Sequence, residues 1–153
     1  DKYQDYKLVI LGGTTSDSNF YLKYLDKLTK NLGIQDRVEI IKNPSSKLCI
    51  QFLKESKVLL DSQKDISLSM GPVEAMAAGC IILVCKNTGT FQETLMNGKF
   101  GFGFDNLEEG GEKLKRILDE LEKGTITNKS SIKRSSFLSR KNFIKRLKEV
   151  IDE

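Results

Sequence analysis

Short apolar runs alternate along the chain with longer segments whose apolar residues return at helical spacing. Residues 6–11 form a first run, stopped by Gly12 and Gly13, after which Leu22, Leu25, Leu28 and Leu32 predict a helix that Gly33 ends. Residues 37–41 predict a second strand, stopped at Asn43 and Pro44, and a helix capped by Ser45 or Ser46 follows with Leu48, Phe52 and Leu53 on one face. Residues 57–60 predict a third strand. A polar loop then leads to a helix over residues 69–79, in which Ser69 is the expected cap, Pro72 is tolerated in the first turn and Gly79 is the stop. Residues 80–85 are apolar throughout, as a central parallel strand covered on both faces should be.

Strands separated by helices of this length imply right-handed βαβ units, so the predicted fold class is α/β, a Rossmann-like open parallel sheet flanked by helices. Sheets of this kind bind ligands at the carboxyl ends of their strands. Those ends carry Gly12 and Gly13, Lys42 and Asn43, Asp61 and Ser62, and Lys86 and Asn87. Polar residues therefore collect where a ligand would sit, with ordinary polar strand ends as the alternative. The stretch from Gly12 to Thr15 lacks the later glycines of a dinucleotide fingerprint and reads as a tight turn that lets a ligand approach. Beyond the sheet, Leu107, Leu114, Ile117, Leu118 and Leu121 predict an amphipathic helix, and residues 123–136 read as a polar connector. From Phe137 the helical period returns through Phe143, Leu147, Val150 and Ile151, beside Arg140, Lys141, Lys145, Arg146 and Lys148. Such a basic amphipathic helix suits plain solvation, or contact with an anionic membrane surface or a partner domain. The expected division is a sheet domain over 1–125 and a connector with C-terminal helix over 126–153.

Composition narrows the chemistry. The chain has 153 residues, 30% of them charged, and a net charge of +4, which attracts phosphates weakly and does not call for a nucleic-acid partner. It contains no histidine, which excludes a Ser-His-Asp triad, a Cys-His pair and histidine-ligated zinc. No metal or cofactor is expected. Cys49, Cys80 and Cys85 lie in apolar stretches without metal-ligand spacing and read as core thiols of a reducing compartment. No apolar run reaches the ~20 residues of a membrane span, and the first residues resemble neither a signal nor a transit peptide. A cytoplasmic location is expected, peripheral on the cytosolic face of a membrane if the last helix docks there. The abrupt start on a strand suggests a piece of something longer.

One acid stands out. Glu74 sits among small and apolar residues, and a charge buried without a partner costs several kcal/mol, on the order of a domain's stability. Placed on a helix, Val73, Met76 and Ala77 form the stripe facing the sheet, while Glu74 lies between Gly71 and Ala78. The carboxylate then stands in a gap one turn from a helix start, where N–H groups favour a phosphate. A carboxylate beside a phosphate site is useful when the ligand offers two adjacent hydroxyls, as a ribose does. A solvated surface acid is the alternative.

The stretch EAMAAGCIILVCKNTGTFQETLMNGKFGFGF, with KLVILGG and PSSKLCIQFLKESKVLLDS before it, resembles the C-terminal, donor-binding domain of the GT-B retaining glycosyltransferases of family four (group 1). The resemblance runs nearly the whole length. It implies the C-terminal half of a GT-B fold lacking its first βα unit, with an acceptor-binding N-terminal domain outside the chain. It implies transfer of a sugar from a nucleotide-diphosphate sugar with retention of configuration, or, as the alternative, a non-catalytic nucleotide-binding or assembly subunit. The segment around Glu74 is similar to mannosyltransferases that extend dolichol-linked oligosaccharides. By this resemblance Glu74 holds the ribose, the segment from Ser67 through Pro72, with Ser69, Met70 and Gly71, faces the sugar and diphosphate with backbone groups, Gly12 and Gly13 belong to the first glycine turn, and Lys42 and Asn43 lie near the base.

The family's second acid, eight positions before this glutamate, falls here on Ile66, which accepts no hydrogen bond; Asp65 beside it is the candidate replacement in catalysis. The family's diphosphate-binding Arg and Lys precede this chain, and Lys42, Lys64 and Lys86 are the available cations. The chain alone is therefore expected to be inactive. Glu93 also matches a family acid, but from Thr90 the sequence TFQE reads as a capping box.

Overall fold

The computed structural model describes residues 2–65 and 67–152. In chain order it forms β1 (Leu8–Gly12), α1 (Ser18–Asn31), a 3-10 turn (Gln35–Arg37), β2 (Val38–Lys42), α2 (Ser46–Glu55), β3 (Val58–Asp61) and α3 (Met70–Ala78). There follow β4 (Ile81–Cys85), a π-helical turn (Thr90–Thr94), β5 (Phe102–Phe104), α4 (Leu107–Glu122), α5 (Lys129–Phe137) and α6 (Arg140–Ile151). All strand pairs are parallel, β1 with β2 in one sheet and β3-β4-β5 in another. The fold class is thus α/β, with parallel sheets flanked by helices. The chain divides into two compact units, Asp1–Cys49 and Ile50–Glu153.

The first unit holds β1, α1 and β2. Leu8 to Gly12 pair in register with Val38 to Lys42. Gly33, in the left-handed region at φ +63°, ends α1 as expected: its N–H donates to Lys30 O, and the Ile34 N–H to Thr29 O. None of its described residues is fully buried, since two strands and one helix cannot enclose a core by themselves.

The core lies in the second unit, around β4, whose five residues are all buried. Alternation splits them between two faces. Ile82 and Val84 pack with Ala75 and Met76 of α3, and with Leu95. Ile81, Leu83 and Cys85 pack with Phe104 and with Ile117 of α4. The strand was expected to be covered on both faces, and it is. The thiols of Cys80 and Cys85 are free and buried, and desolvation pushes both pKa values up, which keeps them protonated. Cys80 Sγ donates to Leu53 O at 3.1 Å.

The polar connector is a correction. Residues 129–137 form α5, whose Asn128, Ser131 and Arg134 recur every third residue and each donate to a backbone carbonyl: Asn128 to Gly79 O at 2.5 Å, Ser131 to Phe100 O at 2.9 Å, Arg134 to Glu93 O at 2.7 Å and Thr94 O at 3.1 Å. These three side chains face the protein, while Lys129, Ser130, Lys133 and Ser136 are exposed. No described helix is long and apolar enough to cross a membrane.

Candidate functional site

In the second unit α3 leaves the carboxyl end of β3 through a loop and returns to the amino end of β4, so its first turns lie at the ligand-binding end of the sheet. Ser69 has the extended backbone of an N-cap, but its side chain makes no capping bond; its N–H donates to Thr90 Oγ1 at 3.1 Å. Gly79 closes the helix in the left-handed region at φ +99°. The buried face is Pro72, Ala75 and Met76, whereas the expected stripe had Val73, Met76 and Ala77; Val73 is half-buried and Ala77 exposed. The turn of the helix reflects a second neighbour, α5, fastened by Asn128 to the carbonyl of Gly79.

Glu74 is exposed and, among the described residues, has neither hydrogen-bond nor ion-pair partner. Beside it Gly71 is uncrowded, a Cβ built there meeting only Ser69 Oγ, in ordinary contact at 3.8 Å. The gap inferred from small neighbours is present. A carboxylate in the second turn of a helix whose start no side chain caps offers two acceptor oxygens next to first-turn N–H groups available to an anion.

Along the sheet's carboxyl edge, Asp65 sits exposed in the left-handed region at φ +57°. Its Oδ1 accepts from Asn87 Nδ2 at 2.5 Å and its N–H donates to Asn87 O at 3.3 Å. Ile66 lies outside the described residues. Lys64 is exposed, but Lys86 is not a free cation: it pairs with Asp105 at 2.5 Å and Glu109 at 3.2 Å, and Glu109 pairs with Lys113 at 2.8 Å. These hydrogen bonds raise the Lys86 pKa, that with Asp105 most. Glu109 is held down to about 2, first by Lys113 and then by the Asp105 N–H.

A pH dependence follows. Between its ordinary value of 4.5 and about 2, Glu109 binds a proton in the unfolded chain before it does so in the folded one. Its contribution is therefore present above pH 4.5 and lost as pH falls toward 2. Glu109→Gln is expected to flatten the fall of melting temperature in that window, measured by thermal denaturation against pH; curves of equal slope for both proteins would contradict the assignment.

Thr90 does not cap the turn it was expected to cap. It lies inside the π-helical turn, buried, and the exposed Glu93 makes no return bond to its N–H. Thr88, missed in the sequence, takes the role: its hydroxyl donates to Cys85 O at 2.8 Å and accepts the Phe91 N–H at 3.2 Å. A cavity of about 420 Å³ opens beside the loop, bordered by Leu68, Met70 and Val73 and by Arg140 and Phe143 of the last helix.

The first unit presents its own cluster. Gly12 and Lys42 end the paired strands, and Asn43, at φ +48°, donates its N–H to Gly12 O at 2.8 Å. The Asn43 side chain bonds Thr14 twice, accepting its N–H and donating to its hydroxyl, each at 2.8 Å. Lys42 is exposed. Gly12 and Gly13 make no tight turn, and a Cβ on either would meet nothing closer than 3.9 Å. The strand end is open, though not because it lacks side chains.

The chain is similar to known proteins in sequence and in fold. The family model described as "Glycosyl transferases group 1" matches residues 1–135. A GDP-Man:Man(3)GlcNAc(2)-PP-Dol alpha-1,2-mannosyltransferase of Dictyostelium discoideum is 28% identical over 152 residues, 96% of this chain and 30% of that protein. The protein of the same name in Mus musculus is 36% identical over 84 residues, 54% of this chain and 17% of its own length. The chain thus spans less than a third of these relatives. The crystal structure of a glycosyltransferase from Rickettsia africae ESF-5 matches with a TM-score of 0.77 at 18% identity, over 97% of this chain and 40% of that one, a likeness of fold.

Proposed function

We propose a function from one premise: the chain belongs to the group 1 glycosyl transferases. It is the donor-binding part of a retaining hexosyltransferase, and its donor is a nucleoside-diphosphate sugar. The base and sugar we assign are guanine and mannose, which the names of its relatives supply. The observation that carries the reading is Glu74: an exposed acid without a partner among the described residues, beside the uncrowded Gly71, at the carboxyl end of a parallel sheet. Its two oxygens accept from the two ribose hydroxyls. The backbone of residues 69–72 meets the diphosphate, and Asp65 turns a carboxylate toward the charge that develops on the donor sugar. The first unit, taken by itself, has an exposed Lys42 and uncrowded strand-end glycines at Gly12 and Gly13. Contact with an anionic surface belongs to the same reading, since Phe143, Leu147, Val150 and Ile151 of α6 are exposed beside Arg140, Lys141, Lys145 and Lys148.

Calorimetric titration of the chain with GDP, GDP-mannose, UDP and UDP-glucose tests this. Guanosine ligands are expected to bind and to raise the melting temperature by mass action. Absence of heat and of thermal shift with all four would overturn the reading.

A further inference from the structure

We infer that Asn87, Gly89 and Thr90 form a template that fixes the loop before α3, and so are positioning residues for the donor. The inference rests on the reading that residues 67–72 face the donor. That loop is irregular, and its order has to come from what lies beneath it. Alternate loop residues each meet the segment after β4. Asp65 takes two hydrogen bonds with Asn87, Ser67 lies with its carbonyl against Gly89, and the Ser69 N–H donates to Thr90 Oγ1 at 3.1 Å.

Gly89 shows that this contact is built in. Its backbone, at φ −60° and ψ −29°, is one that any residue adopts, so a glycine is not needed there for conformational freedom. A Cβ would stand 1.5 Å from Ser67 O and 2.6 Å from Ser67 C. The obstacle is main chain, which cannot swing aside as a flexible side chain would. Glycine is there for close approach.

The template side is the firm one. It continues from the wholly buried β4, is pinned by Thr88 to the carbonyl of Cys85, and buries Thr90, Thr94 and Leu95. The loop side carries the less common conformation: Asp65 stands in the left-handed region, and its two bonds to Asn87 hold it there. None of the three template residues has to touch the donor. Together they decide where Asp65 and the first turn of α3 stand.

The test reads loop order and donor affinity separately in the whole chain. Thr90→Val removes the acceptor of the Ser69 N–H and keeps the shape; Thr90→Ser restores it. Gly89→Ala introduces the clash, and Gly111→Ala, with nothing within 4 Å of the new methyl, is the matched control. Amide hydrogen exchange over residues 67–70 is expected to speed up about tenfold in Thr90→Val and in Gly89→Ala, and to stay near the parent rate in Thr90→Ser and Gly111→Ala. The GDP-mannose Kd should rise by a similar factor in the first pair only. Unchanged exchange in a folded Thr90→Val would overturn the template, as would faster exchange with an unaltered Kd. If the parent chain binds no GDP-mannose at all, the donor reading falls while the exchange rates still decide the template; a Gly89→Ala chain that fails to fold leaves Thr90→Val to decide it.

Discussion

Glu74→Ala is expected to weaken GDP and GDP-mannose binding by roughly ten- to hundred-fold while leaving the melting temperature where it is. A typical hydrogen bond contributes about 0.5–1.5 kcal/mol net, and the proposed ribose contact makes two, which together come to about 1–3 kcal/mol. Stability should not follow, because the carboxylate is exposed and has no protein partner among the described residues; surface substitutions of that kind stay within about 0.5 kcal/mol. Glu74→Gln, which keeps one acceptor oxygen and loses the charge, should fall between. Calorimetric Kd values for the three proteins make the comparison. Equal GDP affinity in the parent and in Glu74→Ala would remove the carboxylate from the ribose site.

The same residue shows how far the sequence can be read. That an acid amid small residues must either face water or meet a ligand followed from the cost of burying charge, and the exposed Glu74 beside an uncrowded Gly71 agrees with it. Which face of α3 turned inward did not follow. Helical period gives one apolar stripe per helix, but α3 has two neighbours, β4 and α5, and the second came from a segment whose serines, asparagine and lysines looked like a connector. Asn128, Ser131 and Arg134 are polar because they bond to carbonyls, a use that hydropathy cannot distinguish from solvation. The first four strands were legible because β-branched and leucine runs stopped by glycine or asparagine have few other meanings. The short β5 was not, since its middle residue is a glycine, ordinarily poor in strands. There a Cβ would come 2.4 Å from Phe91 Cε2, so the glycine serves the packing of that ring.

Thr90 was read locally, as the start of a capping box, because its partner Ser69 stands more than twenty positions earlier, and Ser67 is as far from Gly89. Contacts that join two loops leave no periodic trace in a sequence. The pairing of Lys86 was hidden for the same reason: Asp105 and Glu109 reach it only once β5 lies beside β4. Lysines at strand ends look alike until the sheet order is known, so a cation suited to a diphosphate is here part of an ion cluster.

Met76→Ala should have the opposite signature to Glu74→Ala, although the two residues lie on one helix. Met76 is fully buried between α3 and the face of β4 formed by Ile82 and Val84. Truncating such a side chain removes its transfer energy and leaves a cavity, at a cost of about 2–5 kcal/mol. For a chain of this size about 3 kcal/mol lowers the melting temperature by roughly 10 °C. Met76→Leu, which conserves volume, should cost under about 1.5 kcal/mol. Below its melting temperature the alanine variant should bind GDP within about threefold of the parent, because Gly79, Asn128 and Thr90 still hold both ends of the helix. Urea denaturation and calorimetry on the same preparations read the two quantities. A Met76→Ala protein that lost less than about 1 kcal/mol would mean that α3 is not anchored through this side chain, and the position of Glu74 would then depend on the loop contacts alone.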